Sequence, residues 1–243
     1  MKIHYIFHSS YLVELSECYL LFDYYQGDMP ELDHNKPLYI MASHQHYDHF
    51  SPVIFRFMLK YPDCEYILSD DISREMVQEA LDQLGLECNI HWVHEGDRLV
   101  LPKAELDIFS STDVGVSYLV HSDSSRVFHA GDLNDWHWPN VPASENEKMR
   151  ENFLSILTDI KGCLEGEKID VAFFPLDPVQ GSGCFVGPTE FLEEIPVKMF
   201  LPMHMWEQYS ICGKFLAARP EYEKIFRPVH GAGEEIETEE TVN

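Results

Sequence analysis

The first half of the chain sets short apolar runs between turn residues. IHYIF, YLVEL and CYLLFDYY come first, then PLYIMAS, EYILS and NIHWVH, then LDIFS, VSYLVHS and RVFHAG. Short runs rich in aromatic and β-branched residues, bounded by Gly, Pro, Asn, Asp and Ser, predict strands. Three helices interrupt them. One is expected from Ser51-Pro52 through VIFRFMLKY, because Ser caps a helix well and Pro suits its first position. A second spans about Ile72 to Leu84, where Met76, Val77, Ala80, Leu81 and Leu84 fall at helical spacing. A third follows Ser144, whose S-E-N-E forms a capping box, and runs to about Cys163.

In the second half VAFFPL predicts a buried strand and PTEFLEEI a short helix opened by Pro188. KMFLPMH predicts a strand ending in His204, WEQYSICGKFLAA a helix, and the acidic GEEIETEETVN a fraying tail. Strands first, then strands mixed with helices, imply sheets packed face to face with helices outside. The expectation is one compact domain over residues 1–243.

Composition narrows the picture. With 45% hydrophobic residues in 243, a large core is affordable to the chain. No apolar run is long enough to span a bilayer, and MKIHYIFHSSYLVEL alternates like a strand instead of forming the apolar block of a signal peptide. Cys18, Cys64, Cys88, Cys163, Cys184 and Cys212 are scattered with no C-x-x-C pair, so a reduced, cytoplasmic protein is expected. Seventeen basic against 42 acidic residues give a formal charge of −25. That field repels phosphate backbones, and no basic stripe offsets it, so a small-molecule substrate is expected, with neither nucleic acid nor membrane as partner. The pattern leaves oligomeric state open.

Chemistry concentrates in S-H-Q-H-Y-D-H-F at 43–50, after a buried-strand pattern and before the Ser51-Pro52 helix start. Residues two apart in an extended segment point the same way, so His44 and His46 can share one cation. After the chain turns, Asp48 and His49 can face a second. Imidazole and carboxylate suit zinc, and also manganese or iron.

H-x-H-x-D-H resembles the signature of the metallo-β-lactamase superfamily. HSSYLVELSECYLLFDYYQG is similar to the opening hairpin of the branch that includes ascorbate-6-phosphate lactonase, with Asp23 closing a strand near the site. FHAGDLNDW resembles the family's strand-then-Gly-Asp segment, and FLPMHMW its final metal histidine. The resemblance implies an α+β fold, the four-layer αβ/βα sandwich. It also implies two divalent metal ions, expected to be zinc, held by His44, His46, Asp48, His49, Asp132 and His204. Asp132, left at a strand end after Gly131, has two oxygens and can bind one cation with each. The sequence departs from the family at the third histidine of the first site, where LDIFSSTDVGVSYLV has none. Asp113 can supply an oxygen ligand there, and His137, among Trp136 and Trp138, is the other residue that can fill the gap.

The implied activity is hydrolysis of a small ester, lactone or phosphoester by a metal-activated water. Asp48 would orient the nucleophile, Asp132 would bridge, and His137 would donate to the developing oxyanion. His8, Ser9 and Ser10 are expected at the rim of the cleft, and His129 packed or behind a ligand. A mononuclear-iron oxidoreductase and a non-catalytic metal-binding protein are the alternatives.

Overall fold

All eleven apolar runs fold as strands, and they gather into two sheets. The structure, a computed structural model, describes residues 1–238. In the first sheet β1 (Lys2–Phe7), β2 (Ser10–Glu14) and β3 (Tyr19–Phe22) run antiparallel. β4 (Leu38–Ala42), β5 (Cys64–Ser69) and β6 (Ile90–Val93) then add in parallel. The second sheet has the same plan. β7 (Arg98–Leu101), β8 (Ala104–Ser110), β9 (Val116–Ser122) and β10 (Ser125–His129) are antiparallel, and β11 (Ile169–Pro175) and β12 (Val197–Met203) continue in parallel.

Period-2 alternation builds the layers. Along the first sheet Tyr5, Val13, Leu20, Phe22, Tyr39, Met41 and Ile67 share one buried cluster with Leu106, Tyr118, Val120 and Phe173 of the second. Their neighbours Leu12, Leu21, Ile40, Tyr66 and Leu68 point the other way, onto Ile54, Phe55, Val77 and Leu81 of the covering helices. α2 (Ala143–Leu164) and α3 (Val186–Glu194) bring Phe153, Ile156 and Phe191 to the far face of the second sheet. The order is helix, sheet, sheet, helix.

Several local expectations change. The segment after Ser51 is a 3-10 helix over Pro52–Leu59, with Ser51 capping it and Pro52 first, as the cap residues predicted; its short β-branched and aromatic run is a poor α-former. α1 spans Arg74–Leu84, capped by Ser73. α2 enters from Pro142, with no side-chain cap. Ser144 is already inside the first turn, so it cannot adopt the extended backbone that a capping box requires. α3 begins two residues before Pro188, which sits in the first turn where no N–H is needed. α4 is confined to Ser210–Ala218, because Trp206 and Glu207 take left-handed backbone conformations that keep them out of the helix. The sequence reading has no counterpart for β7. The expected fraying tail instead supplies β13 (Glu234–Glu237), paired antiparallel with β1, and residues 239–243 lie outside the described residues.

Candidate metal centre

The parallel strands end together, and the polar residue just past each end faces one space. Asp23 follows β3, Ser43 and His44 follow β4, Asp132 follows β10, Asp177 follows β11, and His204 follows β12. This is the position, at the carboxyl ends of parallel strands, where α/β sheets bind ligands. Two glycines permit the close approach. A side chain on Gly115 would start 2.0 Å from the Ser43 carbonyl, and one on Gly131 would start 2.8 Å from Ser43 Cβ. Both have positive φ. They bring the loops carrying Asp113 and Asp132 against the histidine segment.

Asp132 forks between two groups of ligands. Its Oδ1 lies 3.2 Å from His49 Nε2 and 3.6 Å from His204 Nε2; its Oδ2 lies 3.4 Å from His44 Nε2. Beyond His204, Asp48 Oδ2 is 3.6 Å from His204 Nε2 and 3.3 Å from His8 Nε2. Beyond His44, His46 Nδ1 is 3.0 Å from His44 Nε2 and 3.7 Å from Asp113 Oδ2. Ligand atoms about 2.1 Å from one cation lie about 3.0 Å apart in octahedral and about 3.4 Å apart in tetrahedral geometry. The spacing fits cations. A second observation agrees: His8 Nε2, His49 Nε2, His204 Nε2 and Asp132 Oδ1 are buried without a hydrogen-bond partner. Buried polar atoms are nearly always satisfied, and here four unsatisfied ones lie close together.

Three imidazoles, those of His44, His49 and His204, are oriented from behind, which frees one nitrogen of each. His49 Nδ1 donates to Asp23 Oδ2 at 2.7 Å, and His204 Nδ1 donates to Asp177 Oδ2 at 2.9 Å. Ser43 Oγ donates to Asp23 Oδ2 and so accepts from His44 Nδ1, at 2.7 and 2.9 Å. Such backing by carboxylate or hydroxyl fixes the tautomer and raises ligand basicity. Asp23 is fully buried and also accepts from the Ser43 amide. His129 stacks on Phe22 and donates from Nε2 to the Ser9 carbonyl, so it packs behind the centre.

Electrostatics keep the carboxylates ionised. Burial alone raises the pKa of Asp132 and Asp48, but His49 and His204 around the first, and His204 and His8 beside the second, outweigh it and hold both well below the ordinary value. For His204, burial lowers the pKa, yet Asp132, Asp177 and Asp48 lift it to about 9. His49 likewise rises well above its ordinary value, burial being outweighed by Asp132 and Asp23. His8 goes the other way, because burial dominates.

The expected ligands His44, His46, Asp48, His49, Asp132 and His204 are thus neighbours, and Asp113 stands beside His46 where the third histidine is missing. His137 does not join them. Its carbonyl packs where a side chain on Gly183 would be, only 2.1 Å from that Cβ position, and no clustered ligand lies within its hydrogen bonds. The bend after Asp132 turns it toward Asp135, whose carboxyl is pushed up to about 6 by burial and by Glu190. His137 is in none of the clustered groups of ligand atoms among the described residues. Asp177 is the residue the sequence reading missed. Its signal is the one shared by Asp23 and Asp132: an acidic residue within three positions of the end of a buried strand. A surface hollow of about 690 Å³ beside Arg98, Lys103 and His121 contains none of these groups.

No family model and no curated protein matches the chain. Solved structures do. CmlA, a diiron β-hydroxylase from Streptomyces venezuelae, aligns at 11% identity with a TM-score of 0.64 over 98% of this chain and 54% of its own. This chain therefore spans about half of CmlA. A "possible metal-dependent hydrolase" from Veillonella parvula aligns at 12% identity and a TM-score of 0.59, over 97% of this chain and 98% of that one. The metallo-β-lactamase fold protein YhfI from Bacillus subtilis aligns at 13% and 0.57, over 97% and 98%. The chain has the α+β metallo-β-lactamase fold. No helix among the described residues is long and apolar enough to cross a membrane.

Proposed function

We propose that the protein is a metal-dependent hydrolase of small esters, lactones or phosphoesters, using two divalent cations, with zinc the first expectation. The observation that carries this reading is the forked Asp132, with unsatisfied imidazole nitrogens gathered about its inner oxygen. His49, His204, Asp48 and Asp132 would hold the inner cation, and His44, His46, Asp113 and Asp132 the outer one. Divalent cations at such a centre acidify water and polarise a carbonyl or phosphoryl oxygen.

The chain's own residues do the rest. Asp48, ionised and anchored through its carbonyl by Ser9 Oγ at 2.7 Å, accepts a hydrogen bond from the attacking water and turns its lone pair toward the substrate. Tyr47, Val114, Val179 and Trp206 are exposed large apolar residues within two positions of Asp48, Asp113, Asp177 and His204. Exposed apolar groups beside the ligand-bearing segments favour a substrate with an apolar part over a polyanion, in keeping with the charge of −25. The lactonase-like branch is the reading preferred among relatives of this fold, on the HSSYLVEL hairpin that places His8 at the centre.

Metal analysis of purified protein tests this first, together with hydrolysis assays on ester, lactone and phosphoester panels. About two zinc or manganese ions per chain and hydrolysis lost in Asp48→Ala are expected. Iron with substrate-dependent oxygen uptake would replace the reading with the oxidoreductase one. Full activity in Asp48→Ala would sink the mechanism.

A further inference from the structure

His8 lies outside the ligand set that the sequence motif implies, yet the fold holds it at the centre. It is 2% exposed, at the turn between β1 and β2. Its Nε2 is buried, has no hydrogen-bond partner, and lies 3.3 Å from Asp48 Oδ2. Its ring centroid is 4.2 Å from that of His204 and 4.3 Å from that of Trp206. Its carbonyl accepts the His204 amide at 3.2 Å, so the two residues are fixed to each other by backbone as well. Both His8 (φ 51) and His204 (φ 65) are left-handed, a conformation unfavourable for residues other than glycine and concentrated at functional sites.

We infer that His8 is a further ligand of the inner cation through Nε2, so that this cation is held by three imidazoles (His8, His49, His204) and two carboxylates (Asp48, Asp132). His8, Asp48 and His204 offer ligand atoms that all lie within 4.8 Å of one another, and His204 shares the same property with His49 and Asp132. Ligation needs a lone pair on Nε2, so the ring carries its proton on Nδ1. The competing role for the same geometry is an Nε2–H donor that orients the Asp48 carboxylate. The two differ in what a glutamine can replace. A side-chain amide can donate to a carboxylate, but it is a poor substitute for a metal-bound imidazole. The inference rests on the inner half of the centre binding a cation, and on no particular substrate.

The test uses the full chain carrying His46→Ala and Asp113→Ala, which leaves the outer half only His44 beside the shared Asp132 and keeps every inner ligand, loaded with cobalt(II). His8→Ala and His8→Gln in that background are expected to weaken cobalt affinity at least tenfold. Both should also intensify its visible absorption, the mark of a lower coordination number. Circular dichroism confirms that each variant is folded. A His8→Gln protein with the parent's affinity and spectrum would overturn the inference, while a parent that takes up no cobalt would overturn the centre itself. The unsubstituted chain supplies a direct check independent of mutation. With isotopic cadmium bound and nitrogen-labelled histidine, His8 Nε2 should show coupling to the metal, and absence of that coupling beside clear coupling at His204 would also refute ligation.

Discussion

The two halves of the centre share Asp132 but are built differently. In the inner half His49 and His204 are nearly or fully buried, and each rests on a buried carboxylate, Asp23 or Asp177. In the outer half only His44 is so held, by Ser43. His46 and Asp113 have side chains 48% and 43% exposed, and no hydrogen bond from behind orients either. A ligand fixed in one rotamer before metal arrives loses little entropy on binding; an exposed side chain must be ordered at that moment. The inner half is preorganised, and the outer half would be ordered only by a cation. The difference teaches that the ordering of ligands by buried partners is confined to one half of the centre, and that the half without a third histidine is the exposed one.

The change with the largest expected effect removes the comparison altogether. Asp132→Asn deletes the charge both halves use and leaves an amide that cannot bridge two cations. Both metals should be lost on gel filtration, and hydrolysis should fall by roughly a thousandfold or more, as removal of central electrostatic groups does. Two cations retained at full occupancy would mean that Asp132 only caps its turn.

Next in size is a crossed pair. Asp177→Asn leaves every ligand in place but replaces the carboxylate behind His204, and should weaken the inner cation by about 10–100-fold. Asp113→Ala touches only the outer half, and should yield a chain with one metal, bound as tightly as before. Metal content during a chelator titration reads both. If each variant loses the two cations together, the halves are not independent and the contrast drawn from burial fails.

How much of this was legible in the sequence follows from where each residue's signal lies. The strands were legible because their apolar runs are short, continuous and bounded by turn residues, and in this fold burial on both faces makes such runs long-range facts. His44, His46, Asp48 and His49 were prominent because local spacing alone brings them together. Asp113 was named only as one of two ways to fill a gap, since a Ser-Thr-Asp loop looks like any turn; it is Gly115, pressed on Ser43, that sets it beside His46. His137 shows the opposite case: it is close to Asp132 in sequence, but its carbonyl packs on Gly183 and it joins none of the clustered ligand groups. Asp177 was hidden inside Leu-Asp-Pro, an ordinary turn sequence, and its partner His204 is 27 residues away. β13 was read as tail because four residues with three glutamates carry no apolar run, and only pairing with β1 makes them a strand.

The smallest effect concerns protons and sharpens the account of the inner half. His204, with its pKa raised to about 9, and His49, also raised, hold protons at neutral pH unless a cation displaces them. A histidine whose folded pKa lies above its unfolded value stabilises the folded chain fully below about pH 6.5 and ceases to do so as pH rises through about 9. The metal-free chain should therefore lose stability between those limits, on the order of 2 kcal/mol, a shift of several degrees for a chain of this size. Over the same range proton competition fades, so a fixed concentration of zinc or manganese should stabilise the chain more. The gap in Tm between metal-loaded and chelated protein should widen from pH 6.5 to about 9 and then level. The metal-free melting curve of His204→Gln should lose most of this slope. A gap that narrows with rising pH would mean that the inner imidazoles are already neutral without metal, and that their carboxylate partners only position them.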